Sequence, residues 1–561
     1  MRLSIKAKLG LRVAEVLALT SVVAACSGGQ GSAGATQGFA GDAGVLGASD
    51  DGGDASTGCP SCDLADDGGG QIVLDAAQAE AGTVFDGDPK AVFVATSGSD
   101  SAAGSMSQPV ASISRGVLLA QQAHKDLYVC DGTYTESVVI ANAAVNVHGG
   151  YDCANGWARV DDVAIVAPNS GVPLTVKGVS GAMTVERLQL QASDAVENGA
   201  SSIASIVVSS SALTFNAVTF QAGAGAHGQQ GVSPAPESGP ATSGGIGGWN
   251  IEDDCKAGLT TGYCGSFAHG GAGPAAVQCS TGAFQSPGGN GGNGGNANIG
   301  LIAQPGVGGS PAGLGGSAGL GIPGTSGQPG VLGKPGAAPV VQVGTFSSAG
   351  YSPTNAGGAG TPGSGGAGGG GGSGGYSSDD NLGDSIPCGY TYLGGGGGGG
   401  GYGGCGGGAG GGGGGGGASV GLLAYESVVT LSGCQIDTSP GGDGGAAGKG
   451  ANGQPGGAAG PGGNGTLGGG PAGFCGNGSE GNAKNGGAGG HGGAGGPGGP
   501  GGGGPSIGIV LVGSAQPDTS TIDFNIGTAG NGGTGLVGPN GPAGLSSSLL
   551  SVGAVADAGG D

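Results

Sequence analysis

Ser419-Val420-Gly421-Leu422-Leu423 and Ser506-Ile507-Gly508-Ile509-Val510-Leu511 read as two copies of one short apolar run. Each is followed by a second run, Val428 to Ile436 after the first copy and Thr521 to Ile526 after the second. The same two-part island stands earlier as Ser205-Ile206-Val207-Val208 followed by Leu213 to Phe220, and Asn298-Ile299-Gly300-Leu301-Ile302 is a truncated copy. Runs this short, rich in β-branched residues, favour strands over helices. A repeated strand unit that cannot bury its faces alone points to copies stacked on one another. A Gly-rich tract begins directly after every full copy, so the tracts are expected to leave the stack at equivalent corners.

Residues 91–222 have the same strand character without the glycine. Val92-Phe93-Val94, Leu127-Tyr128-Val129, Val138-Val139-Ile140, Val145-Asn146-Val147, Ala164-Ile165-Val166, Leu174-Thr175-Val176 and Leu188-Gln189-Leu190 recur between Gly, Asn, Asp and Ser corners. Pro109 to Ala123 carries a helical spacing, with Val110, Ile113, Val117, Leu118 and Ala120 expected on one apolar face. Short strands of this kind suit a sandwich, a barrel or a coiled solenoid. Val94, Gly98-Ser99-Asp100, Gly104, Pro109, Ile113, Tyr128-Val129, Gly132-Thr133-Tyr134-Thr135-Glu136-Ser137-Val138, Gly149-Gly150-Tyr151-Asp152, Trp157 and Arg159 resemble the start of pectate-lyase-like right-handed β-helix proteins. The resemblance implies an all-β, right-handed parallel β-helix whose first coil is capped by the helix. A fold of this kind does not by itself give a function.

The glycine tracts have a period of three in places. Residues 288–296 are three Gly-Gly-Asn triplets, and residues 486–503 are six Gly-Gly-x triplets with Ala, His, Ala, Pro, Pro and Gly at x. In an extended helix of three residues per turn, x lies on one edge and glycine on the other two, so neighbouring chains can exchange backbone hydrogen bonds as in a polyglycine-type bundle. The alternative is a solvated, flexible loop, and composition alone favours it. The tracts resemble the Gly-rich domains of PE-PGRS surface proteins. A collagen register holds only from Gly321 to Gly336, and calcium-binding β-roll repeats lack their carboxylates, Asp443 being almost alone in its tract.

Composition sets the outer limits. Of 561 residues 151 are Gly, 4% are aromatic and 9% charged, so a side-chain core is confined to part of the chain. A net charge of −23 argues against nucleic acid and against anionic lipid as partners. At the N-terminus, Arg2, Lys6, Lys8 and Arg12 precede an apolar run from Val16 to Ala25, too short to span a membrane permanently. The run ends in Val23-Ala24-Ala25-Cys26, which resembles the lipobox of bacterial lipoproteins, although Val23 replaces the usual Leu and Glu15 borders the run. The resemblance implies cleavage after residue 25 and lipid on Cys26. With Ser27 next, it also implies an outer-membrane address in the bacterial cell envelope, facing the periplasm or the outside. Residues 26–90 are read as an acidic flexible tether, 91–222 as the β-helix domain, 223–545 as the Gly-rich region with interspersed coils, and 546–561 as a C-terminal tail.

Twelve cysteines in an exported chain imply disulfides, and with Cys26 lipidated at least one of the other eleven is unpaired within the chain. Nearness suggests Cys59 with Cys62, Cys130 with Cys153, Cys255 with Cys264 or Cys279, and Cys388 with Cys405. Asp161-Asp162, Glu186-Arg187, Asp194 and Glu197 are the carboxylate candidates for polysaccharide chemistry, but they are scattered and read as solvated charge. His124, His148, His227, His269 and His491 show no metal-ligand spacing, and Trp249 beside Glu252-Asp253-Asp254 is read as a loop anchor or a sugar-stacking residue. No catalytic residue, metal or cofactor is assigned. The expected function is a non-enzymatic, adhesin-like or structural display role toward envelope polysaccharide, matrix or a cell surface. A polysaccharide lyase or glycoside hydrolase is the rival.

Overall fold

The computed structural model describes residues 91–553 apart from 249–267, 273, 274, 276, 296–301, 377–391 and 468–480. Cys26, Cys59, Cys62, Cys255, Cys264, Cys388, Trp249 and the tether lie outside the described residues.

Three parallel sheets carry the folded core. The first runs Ala91–Val94, Asp126–Cys130, Val147–Asp152, Met183–Glu186, Leu213–Asn216 and Val429–Ser432, with Ala158–Arg159 antiparallel on Val147–Asp152. The second runs Gly132–Tyr134, Ala164–Val166, Leu188–Gln191, Thr219–Ala222, Gln435–Thr438 and Asp523–Asn525. The third runs Val138–Ala141, Leu174–Lys177, Ser202–Val208, Ser419–Tyr425, Ser506–Val512 and Ser546–Val552. From Asp126 to Val512 the chain visits first, second and third sheet in turn, and its last strands, Asp523–Asn525 and Ser546–Val552, add to the second and third sheets only. Alternate residues of these strands meet in one core that includes Leu127, Ile140, Leu190, Phe215, Phe220, Leu422, Ile436 and Ile509.

The third-sheet strands Ser202–Val208, Ser419–Tyr425 and Ser506–Val512 are buried at all seven residues and mostly apolar, as coverage on both faces requires. Their outer face holds a second core, with Ile206, Leu423 and Val510 beneath Phe346 of the Thr345–Ser347 and Gly350–Ser352 hairpin. Strand pairing corrects the repeat read from sequence. Ser202, not Ser205, pairs with Ser419, which pairs with Ser506, whereas Ser205 stands opposite Leu422. The buried hydroxyls fix this register: Ser202 Oγ donates to the Ser193 carbonyl at 2.8 Å and Ser506 Oγ to the Ser439 carbonyl at 2.9 Å. Ser546–Val552, assigned to a tail, forms the last third-sheet strand, with Leu550 and Val552 extending the outer core. Of the truncated copy only Ile302 is described, and it is exposed.

The single helix among the described residues is Ile113–Ala123. Ile113, Val117 and Ala120 face the core, but Leu118 is exposed and Leu119 packs instead. Several motif residues quoted above hold this helix and the sheet beneath it. The Asp100 carboxylate accepts the Ala111 and Ser112 N–H groups, and the Glu136 carboxylate accepts those of Ile113 and Ser114 at 2.7 and 3.0 Å, which satisfies the orphan donors of the first turn. Gly149 and Gly150 make room for Arg187: a Cβ on Gly149 would meet the Arg187 carbonyl oxygen at 2.3 Å.

Candidate functional site

All three large glycine tracts leave the sheets at one corner. They run from Ala222 to Ser419, from Thr438 to Ser506 and from Asn525 to Ser546, each from a second-sheet strand to the next third-sheet strand. At this root Gly417 donates to the Ala226 carbonyl, Gly442 to Gly417, Gly504 to Gly442 and Gly530 to Gly504, all within 2.7–2.9 Å. Asp443 joins the three tracts there: its N–H donates to His227 Nδ1 at 3.1 Å and its carboxylate accepts the Asn531 N–H at 2.7 Å.

Beyond the root the tracts form a lattice of extended rows around residues 394–417. Gly399 donates to the Gly245 carbonyl, Gly400 to Gly289 and Gly401 to Gly487 at 2.8, 2.8 and 2.9 Å. Gly396, Gly397 and Gly398 repeat this with Gly248, Gly292 and Lys484, and Tyr402, Gly403 and Gly404 with Thr242, Ser286 and Gly490. The partner row thus changes at each residue and returns every third. Carbonyls of the same row accept from further rows, Gly399 from Gly460, Gly401 from Gly369 and Gly397 from Gly271. Residues 394–407 are buried, so every backbone group paired in this way is one that would otherwise be costly. Glycine is required by contact: a Cβ on Gly398 would meet the Gly460 carbonyl oxygen at 2.0 Å and one on Gly400 the Gly369 oxygen at 2.0 Å. Along residues 486–503 His491 at x is exposed while Gly489 and Gly490 are buried, whereas Pro500, also at x, is buried.

A side-chain brace crosses the lattice between two buried glutamines. Buried Gln285 and Gln454 bond each other at 3.2 Å; Gln285 Oε1 accepts the Thr242 hydroxyl at 2.8 Å, and Gln454 Oε1 accepts the Cys405 N–H at 3.0 Å. Cys405 is disulfide-bonded to Cys279, with Cα atoms 5.8 Å apart. This corrects the pairing of Cys405 with Cys388 and removes Cys279 as a partner for Cys255, because the lattice brings together residues far apart in sequence. Cys130 and Cys153 are bonded, with Cα atoms 5.7 Å apart. Their sulfurs lie near the Asp131 carboxylate, the one grouping among the described residues with metal-ligand reach. Cys434 is buried and unpaired, and burial pushes its thiol pKa up.

At the end away from the root, residues on either side of four segments that lie outside the described residues meet. Gly248 donates to His269, Gly295 to Gly375, Gly394 to Gly295 and Gly481 to Tyr376, at 2.8–3.0 Å, and Tyr392–Leu393 pairs with Thr466–Leu467. These residues flank 249–267, 296–301, 377–391 and 468–480, which lie outside the described residues.

The carboxylate candidates separate. Asp161, Asp162 and Glu197 are exposed, and Asp194 accepts the Ala224 N–H at 2.7 Å as a brace for the first tract. Glu186 stands next to His148 on the first sheet, Oε1 2.9 Å from Nδ1, and Arg159 Nη2 reaches the same oxygen at 2.5 Å. The hydrogen bond from His148 holds the Glu186 pKa down to about 2 against the opposing effect of burial, and Arg159 adds to it. Asp126 lies 3.9 Å from His148 Nε2, and Arg159 sits over the Tyr151 ring at 5.1 Å. Sequence reading missed His148 and Arg159 as partners; strand register puts His148 opposite Glu186, and Arg159 reaches Glu186 from Ala158–Arg159, which pairs antiparallel with Tyr151 and Asp152. Arg187 turns the other way, donating to the Val160 carbonyl.

No family model, curated protein or solved structure matches the chain.

Proposed function

We propose that this chain is a lipid-anchored envelope protein in which a pectate-lyase-like, right-handed parallel β-helix carries a polyglycine-II-type lattice as a rigid post for display. The observation that carries the reading is the two-ended lattice. One end is rooted at a single corner of three parallel sheets, and the other gathers residues that flank four further segments of the chain. A row from Gly417 to Gly394, at the 3.1 Å rise of such a helix, holds root and far end about 70 Å apart. Glycine serves this purpose because without a Cβ the rows approach until their amides reach the carbonyls of neighbouring rows, and the post resists bending without a side-chain core. The lipobox at Cys26 and the acidic tether support attachment at one end and presentation at the other. The partner fits an adhesin-like or structural contact with envelope polysaccharide, matrix or another cell surface.

The rival reading, a polysaccharide lyase or glycoside hydrolase, draws on the convergence of Glu186, His148, Arg159 and Asp126. A general acid for glycoside cleavage requires a raised carboxyl pKa, whereas Glu186 is held ionised. The cluster suits a clamp between neighbouring strands better than proton transfer.

Protease shaving of intact cells tests the proposal, with the native chain and Cys26→Ser compared. The native chain is expected in the membrane fraction and trimmed from outside, and the substituted chain in the soluble fraction. A Cys26→Ser protein that stays membrane-bound contradicts the anchor, and turnover of an acidic polysaccharide that Glu186→Gln abolishes would replace display by catalysis.

A further inference from the structure

Residues 302–376 contain one charged side chain, Lys334, in a chain of net charge −23. Within this stretch, residues 302–341 lie outermost in the lattice. Gly370 and Gly371 donate outward to the Thr325 and Val307 carbonyls, while Gly369 and Gly372 donate inward to Gly401 and Gly398 of the central row. From Gly324 to Gly336 every third residue is a glycine whose N–H donates to the row 485–497, which leaves the bulky side chains outside. Val331 is 74% exposed, Leu332 70%, Ile302 81% and Val340 97%, with Leu320 also exposed. The other outer rows carry Glu237, Asp443, Lys449, Lys484 and His491 instead.

Large apolar side chains exposed along a stretch whose one charge is Lys334 are unusual on a soluble monomer, and covering them is favourable by about 25 cal/mol per Å². Charge selects what covers them. Two copies of a −23 chain repel over most of their surfaces, but here neither brings a carboxylate to the other. Backbone pairing across the contact is blocked, since Pro329 and Pro335 have no N–H and the outward residues are too large for close approach. We propose that the 302–341 face is a self-association surface through which two copies of this chain pack side by side, side chain against side chain.

Sedimentation equilibrium on the full chain carrying Cys26→Ser, which removes the lipid site, tests this independently of anchoring and display. The chain is expected to dimerise, with an association that added salt does not weaken. Val331→Asp with Leu332→Asp, and separately Val340→Asp, should each raise the dimer dissociation constant at least about tenfold, about 1.4 kcal/mol. Val232→Asp, an exposed apolar residue of the row rooted at Ala226, should not. Val340→Asp guards against misfolding, because Val340 is almost wholly exposed. A chain that stays monomeric up to about 100 μM, a range that would reveal even weak dimers, overturns the proposal. So does a dimer indifferent to these substitutions. A monomer that instead floats with zwitterionic phospholipid vesicles, and loses this with Val340→Asp, would assign the face to lipid and equally overturn it.

Discussion

The carbonyl oxygen of Gly457 stands 2.1 Å from the point that a Cβ on Gly401 would occupy. No rotamer relieves such a contact, since both atoms belong to backbone held by hydrogen bonds on several sides. Gly401→Ala is therefore expected to cost about 1–3 kcal/mol, the range for overpacking a well-filled interior. Gly365→Ala is the control: its Cβ would meet the Gly404 oxygen at an ordinary 3.5 Å, so stability should change little. Denaturant unfolding of the two variants side by side measures the difference.

The bond between Cys279 and Cys405 closes a sequence separation of 126 residues. Cys279→Ser is expected to lower stability by about 2–4 kcal/mol. Mass spectrometry of unreduced peptides should find Cys279 joined to Cys405, and recovery of Cys388 joined to Cys405 would refute the pairing.

Glu186 gives the first sheet a pH dependence. Its folded pKa of about 2 lies below the ordinary value of 4.5, so its stabilisation is present above pH 4.5 and is lost as pH falls through 4.5 toward 2. Glu186→Gln should destabilise the protein at neutral pH by at most about 3 kcal/mol, with the gap from the native chain closing over that window. A gap constant between pH 7 and pH 3 would show that the carboxylate is not held by His148 and Arg159.

Phe215 is fully buried in the central core, edge-on to Phe220 at 5.0 Å. Phe215→Ala should cost about 3–5 kcal/mol, because the strands on either side hold the cavity open. Thermal unfolding compared with the exposed-site variant Val139→Ala checks it.

What the sequence reveals depends on where the specifying atoms are. The strand units show in it because side chains specify them: alternating burial in Leu174–Lys177 and Leu188–Gln191, and mostly apolar seven-residue strands where both faces are covered. The exit of every tract at one corner was readable from the order of islands and tracts. The register of the first copy was not, since Ser202 and Ser205 look alike until one of them must bond the Ser193 carbonyl. Order in the glycine rows was hidden for a deeper reason. It is carried by backbone groups that all residues share, and only the three-residue period hinted at it. The Cys279–Cys405 bond and the contact of Glu186 with His148 likewise depend on row and strand register, which chain proximity does not encode.

Amide hydrogen exchange across residues 394–417 is the most direct measurement of the central claim. If these residues are the hydrogen-bonded centre of a lattice, their amides should be protected to a degree comparable with the core strand Ser419–Tyr425, which directly follows them. Exchange at the rate of an unstructured glycine-rich chain, beside a protected Ser419–Tyr425, would contradict the lattice and with it the rigid post.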